Sequence, residues 1–173
     1  KIPFFLSVSK GIVFTTVEHV QRRTRTILLQ SIRKVKHIYN KRGFTIPNAM
    51  MDNEFEPHRS DLKSEGIDLD SPAAEEHVPI PERRIRVIKE RARALRHTLP
   101  FEFIPKIMII AMVYNVVLWL NAFPPKGGVS PQIGPRTILT GEKFDYNKHC
   151  RISFGAYAQV HENETNSTPA ART

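Results

Sequence analysis

Met51-Asp52-Asn53-Glu54-Phe55-Glu56-Pro57 closes the run Phe44-Thr45-Ile46-Pro47-Asn48-Ala49-Met50 and opens a stretch crowded with carboxylates. The run reads as a strand over 44–51. Pro47 demands an edge position or a bulge there, because proline has no N–H for a sheet ladder. Such a strand delivers Asp52 to its end. Asp followed by Asn is also ordinary turn chemistry, so the meaning of Asp52 depends on what lies around it.

Toward the N-terminus, 2–8 and 12–20 are rich in Phe, Val, Ile and Thr and read as two strands joined by a turn at Ser9-Lys10-Gly11. Over 24–39 the apolar residues Ile27, Leu28, Ile32, Val35 and Ile38 recur at helical spacing, and Gly43 is placed to end that helix. Toward the C-terminus come a short helix over 57–64, a strand over 67–69 and a loop over 71–76. Pro79 and Pro81 then open a long helix, since proline is tolerated where first-turn N–H groups lack partners. It runs to about His97. A buried apolar helix follows over 105–121, ended by Phe123-Pro124-Pro125-Lys126-Gly127-Gly128. Short strands are expected over 136–139 and 151–160 around Gly141, and a polar, mobile tail from 161. The order strand, strand, helix, strand, helices describes an α/β layer with an antiparallel start.

Composition narrows the function. At 173 residues and 40% hydrophobic, with mean hydropathy −0.33, the chain is one domain's worth. A chain of that size buries roughly 70% of its unfolded surface, so it supports a core. Its single cysteine, Cys150, excludes a disulfide scaffold and a Cys-rich zinc module. The longest apolar stretch, over 107–120, is shorter than the roughly 20 residues a membrane span needs. His77, His149 and Cys150 match no zinc spacing, and neither a nucleophile elbow nor a phosphate loop is present.

The net charge of +9 is unevenly spread. Residues 1–50 hold ten basic and one acidic residue, 51–82 two and ten, and 83–106 eight and two. A polyanion is drawn to the flanks and repelled by the middle, unless a divalent cation among the carboxylates inverts the local field. A solvated acidic loop between two exposed helix faces fits the same numbers.

Asp52 at a strand end and Glu82 in the first turn of a helix could converge at one end of the sheet, where α/β folds place ligands. Hard oxygen donors favour Mg²⁺ or Mn²⁺. Arg86 and Lys89 lie four and seven residues beyond Glu82, on its helix face, while Ile85, Ile88, Ala92 and Leu95 form a neighbouring apolar stripe. Arg83, Arg84, Arg91, Arg93 and Arg96 add charge around the helix. The plain alternative for Glu82 is a partner to the helix dipole.

Several runs together carry a resemblance: Ile2-Pro3-Phe4-Phe5, Thr16-Val17-Glu18-His19, Tyr39-Asn40-Lys41-Arg42-Gly43-Phe44 and Met51-Asp52-Asn53-Glu54-Phe55-Glu56-Pro57. To these are added Glu82-Arg83 with Arg86-Val87-Ile88-Lys89-Glu90-Arg91, Trp119-Leu120-Asn121-Ala122-Phe123-Pro124 and Asp145-Tyr146-Asn147-Lys148-His149-Cys150. With them, nearly all of 1–162 resembles the integrase catalytic core of copia-type retrotransposons, part of a Gag-Pol type polyprotein.

The resemblance implies a ribonuclease H-like α/β fold, a mixed sheet flanked by helices, with three carboxylates holding two Mg²⁺ or Mn²⁺ ions. Asp52 matches the second carboxylate and Glu82 the third. The first belongs to an opening strand expected upstream of Lys1. Arg86 and Lys89 match DNA-contacting positions, and Arg83 and Arg93 join them. It also implies DNA 3′-processing and strand transfer, homo-oligomers, element and target DNA as partners, and a nuclear location without a membrane. It divides the chain into a catalytic core at 1–125, a post-core segment at 126–160 and the tail at 161–173. Two departures stand out: Asn53-Glu54 replaces the family's glycine after the second Asp, and the 29 residues between Asp52 and Glu82 are fewer than usual. A catalytically dead DNA-binding remnant is the alternative.

Overall fold

The computed structural model describes residues 1–71 and 79–158. Strands β1 (Phe4–Val8) and β2 (Thr15–His19) pair antiparallel, Leu6 opposite Val17. Their connection is longer than the expected three-residue turn. The Ser9 N–H donates to Phe14 O, and Val13 adopts φ 58°, a left-handed conformation that β-branched residues resist. Arg84 holds that loop from the far side, donating to Val13 O at 3.4 Å.

Helix α1 (Arg25–Asn40) follows, as its spacing predicts, and ends where Gly43 turns left-handed and the Phe44 N–H closes onto Tyr39 O. The expected strand over 44–51 shrinks to β3 (Asn48–Met50). Pro47 explains the loss: it cannot donate, but its carbonyl accepts from the Asp68 N–H, so pairing begins beside it. A 3₁₀ turn (Asn53–His58) and α2 (Arg59–Ser64) replace the single helix expected over 57–64, and β4 (Asp68–Asp70) returns parallel to β3. Among the described residues the sheet is two two-stranded pieces, one antiparallel and one parallel.

The long helix α3 (Pro79–His97) and the apolar helix α4 (Lys106–Ala122) take their expected places, and most of the loop over 71–76 lies outside the described residues. Strand alternation sorts the layers. Phe5 packs with Leu28 and Ile32 of α1 and with Phe55, Leu62, Ile67 and Leu69, whereas Leu6 and Val17 turn to Ile88 of α3 and Val116, Val117 and Leu120 of α4. The hairpin is therefore covered on both faces. Among the apolar residues of α3, Ile88, Ala92 and Leu95 join this core, but Ile85 does not; Val87 takes its place. Helix α4 is buried toward its C-terminal end, while Ile107 near its start is 72% exposed.

The post-core strands are a correction. Residues 136–139 lie in a helix, α5 (Pro135–Thr140), and 151–158 form bends and turns rather than a strand. Arg-Thr-Ile-Leu has a β-rich look, but Pro135 at the first helical position and Gly141, left-handed at φ 74°, cap a helix turn at both ends. Gly134 lets α5 approach α4: a Cβ there would sit 2.2 Å from Ala122 O. A four-residue helix, α6 (Tyr146–His149), completes the described fold. The expected tail from 161 lies outside the described residues.

Ile67, 2% exposed, sits in the core that supports β3 and the turn beyond it. Ile67→Val removes one methylene there and is expected to cost about 1 kcal/mol, read as a shift in the urea midpoint at constant m-value.

Candidate functional site

Asp52 lies two residues beyond β3, as the residue preceding the 3₁₀ turn. Its carbonyl accepts from the Phe55 N–H at 2.9 Å, but its carboxylate is exposed and caps nothing. The neighbouring acids are otherwise engaged. Glu54 meets Arg23 at 3.4 Å, and Asp61 takes a two-pronged bond from Arg25 at 2.9 and 2.8 Å. Glu65 binds Arg33 at 2.8 Å and also Lys36. Three acids of the middle are thus paired with the first basic flank, which the charge tally alone offered as a polyanion surface.

Glu56 is the best-held of these acids. Arg59 donates to it from Nε and Nη2 at 2.9 and 2.6 Å and reaches Leu69 O at 2.7 Å, fastening the turn after Asp52 to the end of β4. The Arg59 guanidinium, helped by the Ser71 hydroxyl, lowers the Glu56 carboxyl from an ordinary 4.5 to about 2. Because the folded-state value is depressed, this contact contributes fully above about pH 4.5 and is lost as pH falls toward 2. Arg59→Gln is expected to return the Glu56 carboxyl to the ordinary range in an NMR titration, and an unmoved midpoint would contradict the pairing.

The second basic flank behaves differently. On α3, Glu82, Ile85, Arg86, Lys89, Glu90 and Arg93 line a surface hollow of about 470 Å³. Residues 82, 86, 89 and 93 recur at three- and four-residue intervals, so they share one helix face. Arg86 is also bound to Glu90 at 3.0 Å, an exposed pair four residues apart. Sequence spacing alone could have revealed that pair, and it tempers the charge Arg86 offers. Lys89 and Arg93 remain exposed.

Of the expected site residues, then, Glu82, Arg86, Lys89 and Arg93 come together. Arg83 and Asp52 do not line the hollow. Arg84 is half-buried against the hairpin loop, where burial pushes its guanidinium down, so it has a structural task.

Among the described residues no three His, Cys, Asp or Glu side chains gather as a metal cluster. Asp52 and Glu82 nevertheless offer the right donor chemistry. Mg²⁺ commonly takes one or two carboxylates and completes its shell with water and substrate phosphate.

No protein-family model matches the sequence, and no curated protein matches it. Solved structures do. The catalytic core domain of BIV integrase superposes with a TM-score of 0.55 at 17% identity, covering 86% of this chain and 88% of that one. The HTLV-2 integrase catalytic core domain in complex with magnesium gives 0.55 at 14% identity, covering 79% and 83%. This chain has the integrase catalytic-core fold. A simian T-cell lymphotropic virus intasome structure gives 0.57 at 11% identity, with 99% of this chain covering 58% of that one. An integrase-core architecture accounts for α1 on one face of the hairpin and α3 with α4 on the other, the ribonuclease H-like arrangement expected from the sequence.

Proposed function

We propose that this integrase core belongs to a copia-type retroelement and serves divalent-metal-dependent DNA 3′-processing and strand transfer. The observation that carries the reading is the hollow on α3 that sets one carboxylate, Glu82, beside the cations of Arg86, Lys89 and Arg93. The cations on that wall suit phosphate, and a carboxylate among them suits the metal that accompanies a phosphodiester.

In this reading Asp52 and Glu82 would hold the metal, which would supply Lewis-acid stabilisation of phosphate charge and acidify the attacking hydroxyl. Lys89 and Arg93 bind and orient the DNA backbone. Arg86 does so once Glu90 gives way to phosphate, an exchange between two exposed partners. Arg83, on a neighbouring face, contacts more distant phosphates. The HTLV-2 core, solved with magnesium and in a trimeric form, supports metal use and self-association here. A nuclear location goes with the retroelement reading and is proposed with it. No helix among the described residues is long and apolar enough to cross a membrane.

The test is the salt dependence of duplex binding. Lys89→Ala and Arg93→Ala should each lower the slope of log K against log salt by about 0.9, as one phosphate contact is lost. Slopes that do not move would remove α3 from the DNA interface.

A further inference from the structure

We propose that the ring cluster at the C-terminal end of α4 is a stacking platform for an unpaired stretch of nucleic acid, a second contact separate from the α3 hollow. Trp119 and Phe123 stack at 5.9 Å with planes 15° apart, and Phe123 continues to Tyr146 at 6.3 Å. Phe144 closes the group, 5.4 Å from Trp119 and 5.2 Å from Tyr146, with the Arg136 guanidinium 5.7 Å above its own ring.

Part of this cluster fastens the post-core segment to α4, but that task does not need all of it. Phe123 and Tyr146 are 46% and 53% exposed, so the stack is open on one side. The surrounding charge says what fits. Lys126, Lys143 and Lys148 are exposed beside these rings in sequence, while the two acids of the segment are occupied: Glu142 pairs with Arg42 at 3.5 Å, and Asp145 caps α6 by accepting from the Lys148 N–H.

The exposed edge of the cluster, at Phe123 and Tyr146, with lysines close by in sequence suits bases joined by phosphates, since every base has a π-face and the backbone supplies the anions. Duplex DNA keeps those faces stacked internally, so the occupant is unpaired. A proline-rich peptide would use the rings and leave the lysines idle. The identity of the polyanion rests on the nucleic-acid reading of α3, but the two sites fail separately.

Trp119 is the chain's one tryptophan, so its fluorescence reports from inside the cluster. The 173-residue chain is titrated at low salt with an oligothymidylate and, separately, with a hairpin duplex. The single strand is expected to quench Trp119. Tyr146→Ala should weaken single-strand binding about tenfold with duplex affinity unchanged, and Tyr146→Phe should restore it. Lys148→Ala should lower the single-strand salt slope by about 0.7. An unchanged emission spectrum of the free variants shows that the cluster has kept its packing; where Tyr146→Ala alters it, Tyr146→Phe and Lys148→Ala decide. Absence of quenching by the single strand, equal losses on single strand and duplex, or quenching by a proline-rich peptide alone would overturn the platform. Loss of duplex binding with single-strand quenching intact would instead overturn the α3 reading.

Discussion

Asn121→Ala is expected to destabilise the fold by about 4 kcal/mol, because it orphans two buried backbone groups at once. The Asn121 side chain, 6% exposed, accepts from the Thr15 N–H at 2.9 Å and donates to Thr15 O at 2.7 Å. Thr15 is itself 1% exposed, so bulk water does not reach either group in the intact fold. The two residues are 106 positions apart, and their contact fixes the start of β2 against the end of α4. Asn121→Asp keeps the acceptor but loses the donor and buries a charge, so it should be no milder than alanine. A loss below about 1 kcal/mol in urea unfolding for both variants would show that the amide is replaceable, contrary to the geometry.

That contact marks a limit of sequence reading. Asn121 sits in an apolar helix whose faces look alike, and nothing local says that its amide reaches across to Thr15. The α1, α3 and α4 helices were legible because their signals are local: apolar spacing, opening prolines and a glycine past the end. Weak strands were not. β3 lost the residues around Pro47, and 136–139 became α5 because Pro135 and Gly141 outweigh β-branched side chains. The candidate site was half legible. Helix periodicity alone puts Glu82, Arg86 and Lys89 on one face, but it does not separate Arg84, which props the hairpin loop, from its neighbours. It also left open which acids of 51–71 are paired: Arg23, Arg25, Arg33 and Arg59 take Glu54, Asp61, Glu65 and Glu56. Beside those paired acids, Asp52 presents an exposed carboxylate that caps nothing.

Glu82→Gln is expected to make the chain's DNA affinity indifferent to Mg²⁺ and, if the proposed strand transfer is assayed, to reduce it by at least about a hundredfold. The sign of the effect without metal distinguishes the two readings of this residue. Glu82 shares its hollow with Lys89 and Arg93, so in EDTA its charge repels the phosphate those cations attract. Replacing it with glutamine, which has the same shape and no charge, should tighten metal-free binding slightly. Mg²⁺ should then tighten the unaltered chain and leave the variant where it was, so the two binding curves cross as metal is added. If Glu82 served only the helix dipole, glutamine would cost about 0.5 kcal/mol of stability, and the Mg²⁺ dependence of DNA binding would be the same in both proteins. Asp52→Asn should reproduce the loss of Mg²⁺ response, since the proposal makes its carboxylate a ligand of the same ion. Loss of the Mg²⁺ response in both variants is what a shared metal requires, whereas a surface that acts only through its net charge keeps a Mg²⁺ response when one carboxylate is neutralised.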